Sequence, residues 1–216
     1  MPEVHLPQLD EHEEEAAPAS PTAPHRPRGK SLFTIALEVM LIGTGVFLGL
    51  AGEQWRENAH HREMAEASLR RFRSEIVTNR TAVASVKDYH VTMKKRLAAY
   101  FAADARTRPK VEVNLRGIQP ASFEHTAWDL ALATQSLAYI DPALAFALSR
   151  VYTTQQGYTE LSQGVLQAMY LLNPTENEGA FFGAVVVYYG DVVLYEPKLL
   201  SLYDELLPQI DKALGE

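Results

Sequence analysis

The chain has 216 residues, a formal net charge of −7 and no cysteine. That length suits one modest domain with a tail and an anchor. The missing thiols exclude disulfides, thiol catalysis and Cys-ligated zinc or iron–sulfur sites. The charge is uneven: residues 53–110 carry thirteen Lys/Arg against seven Asp/Glu, and residues 171–216 carry two against eight. Two faces of one bundle that attract each other account for the split. Acids interleaved with the bases, and the absence of a binding motif, speak against nucleic acid as a partner.

Residues 1–31 hold six of the twelve prolines and almost no large apolar side chain beyond Leu9. Such a segment cannot bury enough surface to offset its ordering entropy, so an acidic, Pro-rich, disordered tail is expected. Arg26, Arg28 and Lys30 then stand directly against an apolar run, as the cytoplasmic flank of an anchor does.

Leu32 to Ala51 contains twenty residues and one formal charge, Glu38. At about 1.5 Å per residue a helix of that length spans roughly 30 Å, the hydrocarbon thickness of a bilayer. Residues 32–52 are therefore read as a single transmembrane helix, with Phe33 and Trp55 as interfacial aromatics. Gly45, Gly49 and Gly52 fall on one face at the small-residue spacing that lets two membrane helices approach closely. Glu38, seven residues before Gly45, shares that face, and a carboxyl group in a bilayer needs a partner or a proton. These four residues mark an expected interface, with a second copy of the chain or with a partner's membrane helix; snorkelling of Glu38 to the membrane surface is the plainer alternative. Three Lys/Arg lie close before the span and four more dispersed ones after it, which places the N-terminus in the cytoplasm and the C-terminal domain in the periplasm of a bacterial inner membrane.

From Glu53 to Thr107 there is no Gly or Pro. Leu69, Phe72, Ile76, Val83, Val86, Met93, Leu97 and Tyr100 recur with a 3-4 alternation, which predicts a long juxtamembrane helix packed at a shallow angle against others. Asn79 and His90 occupy the two polar positions of that series, either as hydrogen-bonded core residues or as a ligand-facing pair. Pro109 disfavours continuation, so the helix is expected to end near Arg106. His60-His61 beside Glu57 make at best a weak metal site. Residues 108–121 alternate Val111, Val113 and Leu115 among Pro and Gly; a lone strand is not stable, so an extended connector is expected.

Residues 122–216 read as a helical bundle domain. Thr126 to Asp129 resembles a capping box, opening a helix to about Tyr139. Asp141-Pro142 restarts the chain with Asp as N-cap and Pro in the first turn, for a helix to about Leu172. Asn173-Pro174 gives the next break, and the last segment is apolar from Phe181 to Ile210, with Pro197 and Pro208 expected to kink or divide it. Ala180 to Tyr195 is short for a second span and contains Asp191, so an amphipathic helix with a wide buried face is preferred. Six of the ten tyrosines lie from Tyr158 onward, suited to a tight aromatic bundle or to the lining of a ligand pocket. The expected fold is all-α: an N-terminal transmembrane helix continuing into a long helix of an antiparallel bundle.

No Gly-x-Ser-x-Gly, His-Glu-x-x-His or phosphate loop occurs, so no catalytic, cofactor-binding or metal-ligating residue is assigned and an enzyme is not expected. The run from Glu38 to Leu50 followed by Trp55-Arg56-Glu57, the later Thr126-Ala127-Trp128 with Leu137 and Ile140, and the closing Tyr203-Asp204-Glu205-Leu206 resemble a family of uncharacterised bacterial single-pass membrane proteins. Those open with a short N-terminus and an apolar helix beginning with Glu, then a Trp and a charged helix. The resemblance covers most of residues 31–214 and implies a shared fold and anchor but no activity; the long acidic tail departs from it. The expected function is a scaffold or protein-interaction module at the membrane, its partners the bilayer and either a second copy or a partner helix. The alternative is an extracytoplasmic ligand-sensing bundle that signals through a partner.

Overall fold

The computed structural model describes residues 31–104, 106–107, 113–172 and 176–216. The expected tail (but for Ser31), the first part of the connector and the Asn173-Pro174 break lie outside the described residues. Four α-helices are present and no strand among the described residues: α1 at Leu32–Ala102, α2 at Thr126–Ala133, α3 at Pro142–Leu171 and α4 at Glu178–Leu214. A 3-10 turn at Ser136–Tyr139 joins α2 to α3. The chain divides into two units, residues 1–50 and 51–216.

In the first unit α1 carries the apolar run. Every described residue from Ser31 to Leu50 is exposed, including Leu32 at 86 % and Phe47 at 70 %. This helix and α4 are both long and apolar enough to cross a membrane. They differ in burial: none of the most apolar stretch of α1 is buried, whereas α4 buries Val185, Tyr188, Tyr189 and Val192 in the protein core.

In the second unit α1 supplies Leu69, Phe72, Ile76, Val83, Met93 and Leu97 to the core, and Val86 packs against it half-buried. These are positions of the 3-4 series, buried because one stripe of the helix turns inward at that period. The helix ends at Ala102, earlier than Arg106, because Asp104 Oδ1 accepts from the backbone N–H groups of Arg106 and Thr107, each at 2.9 Å, and turns the chain. Helix α4 runs antiparallel to α1: Arg73 meets Asp211 at 2.6 Å, Arg80 meets Asp204 at 2.7 Å, His90 meets Glu196, and Tyr100 stacks on Phe182. The basic and acidic halves thus pair across the bundle, as the charge split predicts. Helix α3 also runs antiparallel to α4, with Gln155 against Tyr203 and Tyr158 against Glu196.

Three local expectations change. Helix α2 starts at Thr126 with His125 as N-cap and no capping side chain; Asp129 Oδ2 instead takes the His125 Nδ1 at 2.5 Å. It stops at Ala133, because Gln135 adopts a left-handed φ of 56° that breaks the hydrogen-bond ladder before the 3-10 turn. Pro197 and Pro208 neither end nor divide α4, which is one helix throughout. Both prolines are exposed, so the carbonyls their missing N–H groups release can be hydrated, while Leu199, Leu202, Tyr203, Leu206 and Ile210 are buried on the other side. The Asp141 cap holds as read: its Oδ1 accepts from Ala143 N at 2.9 Å and Leu144 N at 3.1 Å, with Pro142 in the first turn.

Candidate functional site

The second unit is organised by the stretch from Val113 to Tyr139, irregular as far as His125 and then carrying α2 and the 3-10 turn. From Val113 the chain turns back and runs antiparallel along α1, and side chains of α1 pin it step by step. Tyr89 Oη donates to Gly117 O at 2.8 Å, Asn79 bonds Glu124, Glu75 takes the N–H of Ala127, and Ser68 Oγ donates to Ser136 Oγ at 2.8 Å. At the far end the His61 ring stacks on Tyr139 with centroids 3.9 Å apart. An irregular segment brings unpaired backbone N–H and C=O groups into the interior, and each needs a partner there. That is why polar residues interrupt the apolar series of α1.

Asn79 is fully buried and holds both backbone groups of one residue. Its Nδ2 donates to Glu124 O at 2.8 Å and its Oδ1 accepts from Glu124 N at 2.8 Å. His90 is also fully buried. Its Nε2 lies 2.9 Å from Ile118 O and 3.0 Å from Gln119 O. Two carbonyls can only accept, so Nε2 carries the hydrogen. The Nδ1 then faces Glu196 Oε1. One proton lies between them, whichever atom holds it, and the pair is neutral overall. The Tyr158 hydroxyl adds a donor to the same Oε1 at 3.3 Å and itself accepts from Ala121 N at 3.1 Å. Glu196 Oε2 has no partner among the described residues. Gln119 adopts a left-handed φ of 42° beside these contacts.

Two residues of this arrangement escape the sequence reading. Glu75 is buried and accepts from Ala127 N at 2.8 Å and from the Tyr152 hydroxyl at 2.6 Å; Ser68 is buried against Ser136. The signal was a spacing of seven through His61, Ser68 and Glu75, on the flank next to the apolar stripe. Burial raises the Tyr152, Tyr158, Tyr188, Tyr189 and Tyr203 hydroxyls above the ordinary tyrosine pKa, and Glu75 adds to the effect at Tyr152.

Beside this polar spine lies a half-open groove of about 610 Å³ between the returning segment, α2 and α3. Its apolar wall is Phe123, Trp128, Tyr152 and Leu166, with the Trp128 and Tyr152 rings stacked at 5.0 Å and 23°. Its polar lining combines uncharged side chains such as Thr159 and Gln163 with the exposed His125–Asp129 pair. Gln155 lines the groove and is 3 % exposed; its Nε2 donates to Tyr203 Oη at 2.8 Å, while its Oε1 has no partner among the described residues.

In the first unit nothing lies within 4 Å of a side chain that would grow from Gly45 or Gly49, so that face is open. No cluster of three or more metal-ligating side chains occurs among the described residues. No known protein family, no curated protein and no solved structure matches the chain.

Proposed function

We propose that this protein is a single-pass, membrane-anchored helical interaction module. Residues 32–52 cross the bacterial inner membrane, the N-terminus lies in the cytoplasm, and the bundle of residues 53–216 stands in the periplasm to engage a partner. The observation that carries this is a run of apolar side chains with none buried in the protein, from Leu32 through Leu50. A contiguous exposed apolar surface of that size is unfavourable in water and marks contact with lipid or another protein. The likeness of Glu38–Leu50 and Trp55-Arg56-Glu57 to single-pass bacterial membrane proteins supports the same reading. Glu38, Gly45, Gly49 and Gly52 form the contact with a second copy or a partner helix.

The test is fractionation after alkaline carbonate extraction. The full chain stays in the membrane pellet, and a chain beginning at Gly52 moves to the supernatant. Extraction of the full chain by carbonate contradicts the anchor. The groove beside Trp128 favours a second reading, a bundle that senses a small ligand and signals through a partner.

A further inference from the structure

The contact between His90 and Glu196 exists only under a condition that its geometry imposes. His90 Nε2 lies against two carbonyls, Ile118 O at 2.9 Å and Gln119 O at 3.0 Å, so its hydrogen is fixed there. The other ring nitrogen, Nδ1, meets Glu196 Oε1. With no further proton, Nδ1 presents a lone pair and so does Oε1. Two acceptors at hydrogen-bond distance repel each other. The contact therefore holds only while one proton lies between them.

The titratable groups that face the pair among the described residues are Tyr89 from α1, Tyr158 from α3, and Tyr188 and Tyr189 from α4. The returning segment presents carbonyls. Burial raises the Tyr158, Tyr188 and Tyr189 hydroxyls above the ordinary tyrosine value, so through neutral pH they neither release a proton to the pair nor take one from it. An ionised Glu196 would have the Tyr158 hydroxyl as a donor at 3.3 Å, while its Oε2 has no partner among the described residues. A fully buried carboxylate held so weakly is unfavourable.

Folding therefore traps a proton. In an unfolded chain a histidine gives up its proton above about pH 6.5. The folded pair keeps one. The stability that the pair contributes is complete below that pH and is lost as pH rises, by about tenfold in the folding constant per pH unit. The backbone fastened here is strained, since Gln119 holds a left-handed φ of 42°.

We propose that the His90–Glu196 pair is a proton-operated latch. With one proton bound it fastens α1 and α4 to the returning segment; on losing that proton at alkaline pH it releases Glu196 and frees the segment around Gln119. The latch requires nothing of residues 32–52, so its failure and the failure of the anchor are separate results.

Glu196→Gln removes the condition, because an amide N–H donates to a neutral Nδ1 with no trapped proton. Chemical unfolding of the full chain in micelles gives the folding constants of both proteins from about pH 6 to about pH 8. The ratio of wild type to Glu196→Gln falls about tenfold per pH unit, about a hundredfold over the range. A ratio that does not change with pH overturns the proposal. Should Glu196→Gln not fold, the wild type alone decides. Unfolding at about pH 8 in weakly buffered solution releases about one proton per chain, counted by the base needed to hold the pH, and no release overturns the proposal.

Amide exchange reads the opening itself. As the pair gives up its proton, protection falls at Ala121, whose N–H is held by Tyr158 Oη, while Glu124, whose N–H is held by Asn79, keeps its protection. Parallel loss at both amides overturns a local latch.

Discussion

His90 of α1 meets Glu196 of α4 through Nδ1 and Oε1, and neither side chain has any exposed surface. His90 Nε2 is spent on the Ile118 and Gln119 carbonyls, so the contact with Glu196 holds one proton and no net charge. One pair therefore ties three parts of the bundle together: α1, α4 and the segment that runs back between them.

Removing one partner leaves a buried polar atom of the other without its hydrogen bond, which costs about 1–3 kcal/mol. His90→Leu and Glu196→Leu are each expected to destabilise the protein by that amount. The double variant should lose much less than the sum of the two, since neither Nδ1 nor Oε1 is then left facing an apolar side chain. Chemical unfolding of the full chain in micelles, followed by circular dichroism, measures all four corners of the cycle.

Asn79 satisfies both backbone groups of Glu124, and each group left unpaired costs about 1–3 kcal/mol. Asn79→Leu strands both. Asn79→Asp keeps an acceptor for Glu124 N and loses the donor to Glu124 O, so it should fall between wild type and the Leu variant. Hydrogen exchange at the Glu124 amide separates the two: it accelerates strongly in Asn79→Leu and far less in Asn79→Asp.

Five tyrosines have hydroxyl pKa values raised by burial: Tyr152, Tyr158, Tyr188, Tyr189 and Tyr203. A group whose pKa is raised in the folded state gives stability that is complete below its unfolded value, about 10 for tyrosine. That stability is lost as pH climbs toward the folded value, with a slope near 1.4 kcal/mol per pH unit for each such residue. Stability should thus be insensitive to these groups below about pH 10 and fall steeply above it. Phenolate absorbance should show these five buried rings ionising together as the bundle unfolds.

Gly45 and Gly49 present open backbone on one face of α1. Under the membrane reading, Gly45→Ile and Gly49→Ile together block close approach of a second helix and abolish self-association in a bacterial membrane two-hybrid assay. Undiminished association would remove these glycines from the contact.

The helical fold is legible in the sequence because a 3-4 apolar stripe and a capping Asp-Pro pair are local signals, and both Leu69–Leu97 and Asp141-Pro142 behave as those signals require. Asn79 and His90 are visible as exceptions in the stripe. What they bond is not, because the facing segment is irregular backbone, whose carbonyls leave no mark in composition. Gln135 ends α2 in a left-handed conformation that a Gly or Asn would have announced and a Gln does not. The prolines of α4 do not divide the helix, and the sequence could not show that, because their effect depends on whether they face solvent, which only packing decides. The groove is least legible of all, since Trp128, Tyr152 and Gln155 come together only once α2 and α3 are placed.

The anchor is the central claim, and the chain's lack of cysteine makes it open to a clean test. Single cysteines at Ser31→Cys, Val46→Cys and Asn58→Cys are expressed in full-length protein and treated in intact cells, then in lysed cells, with a membrane-impermeant maleimide. The account predicts labelling of Asn58→Cys in intact cells, of Ser31→Cys only after lysis, and of Val46→Cys in neither until detergent is added. Labelling of Val46→Cys in detergent-free lysate as fast as Ser31→Cys would contradict a membrane-embedded helix.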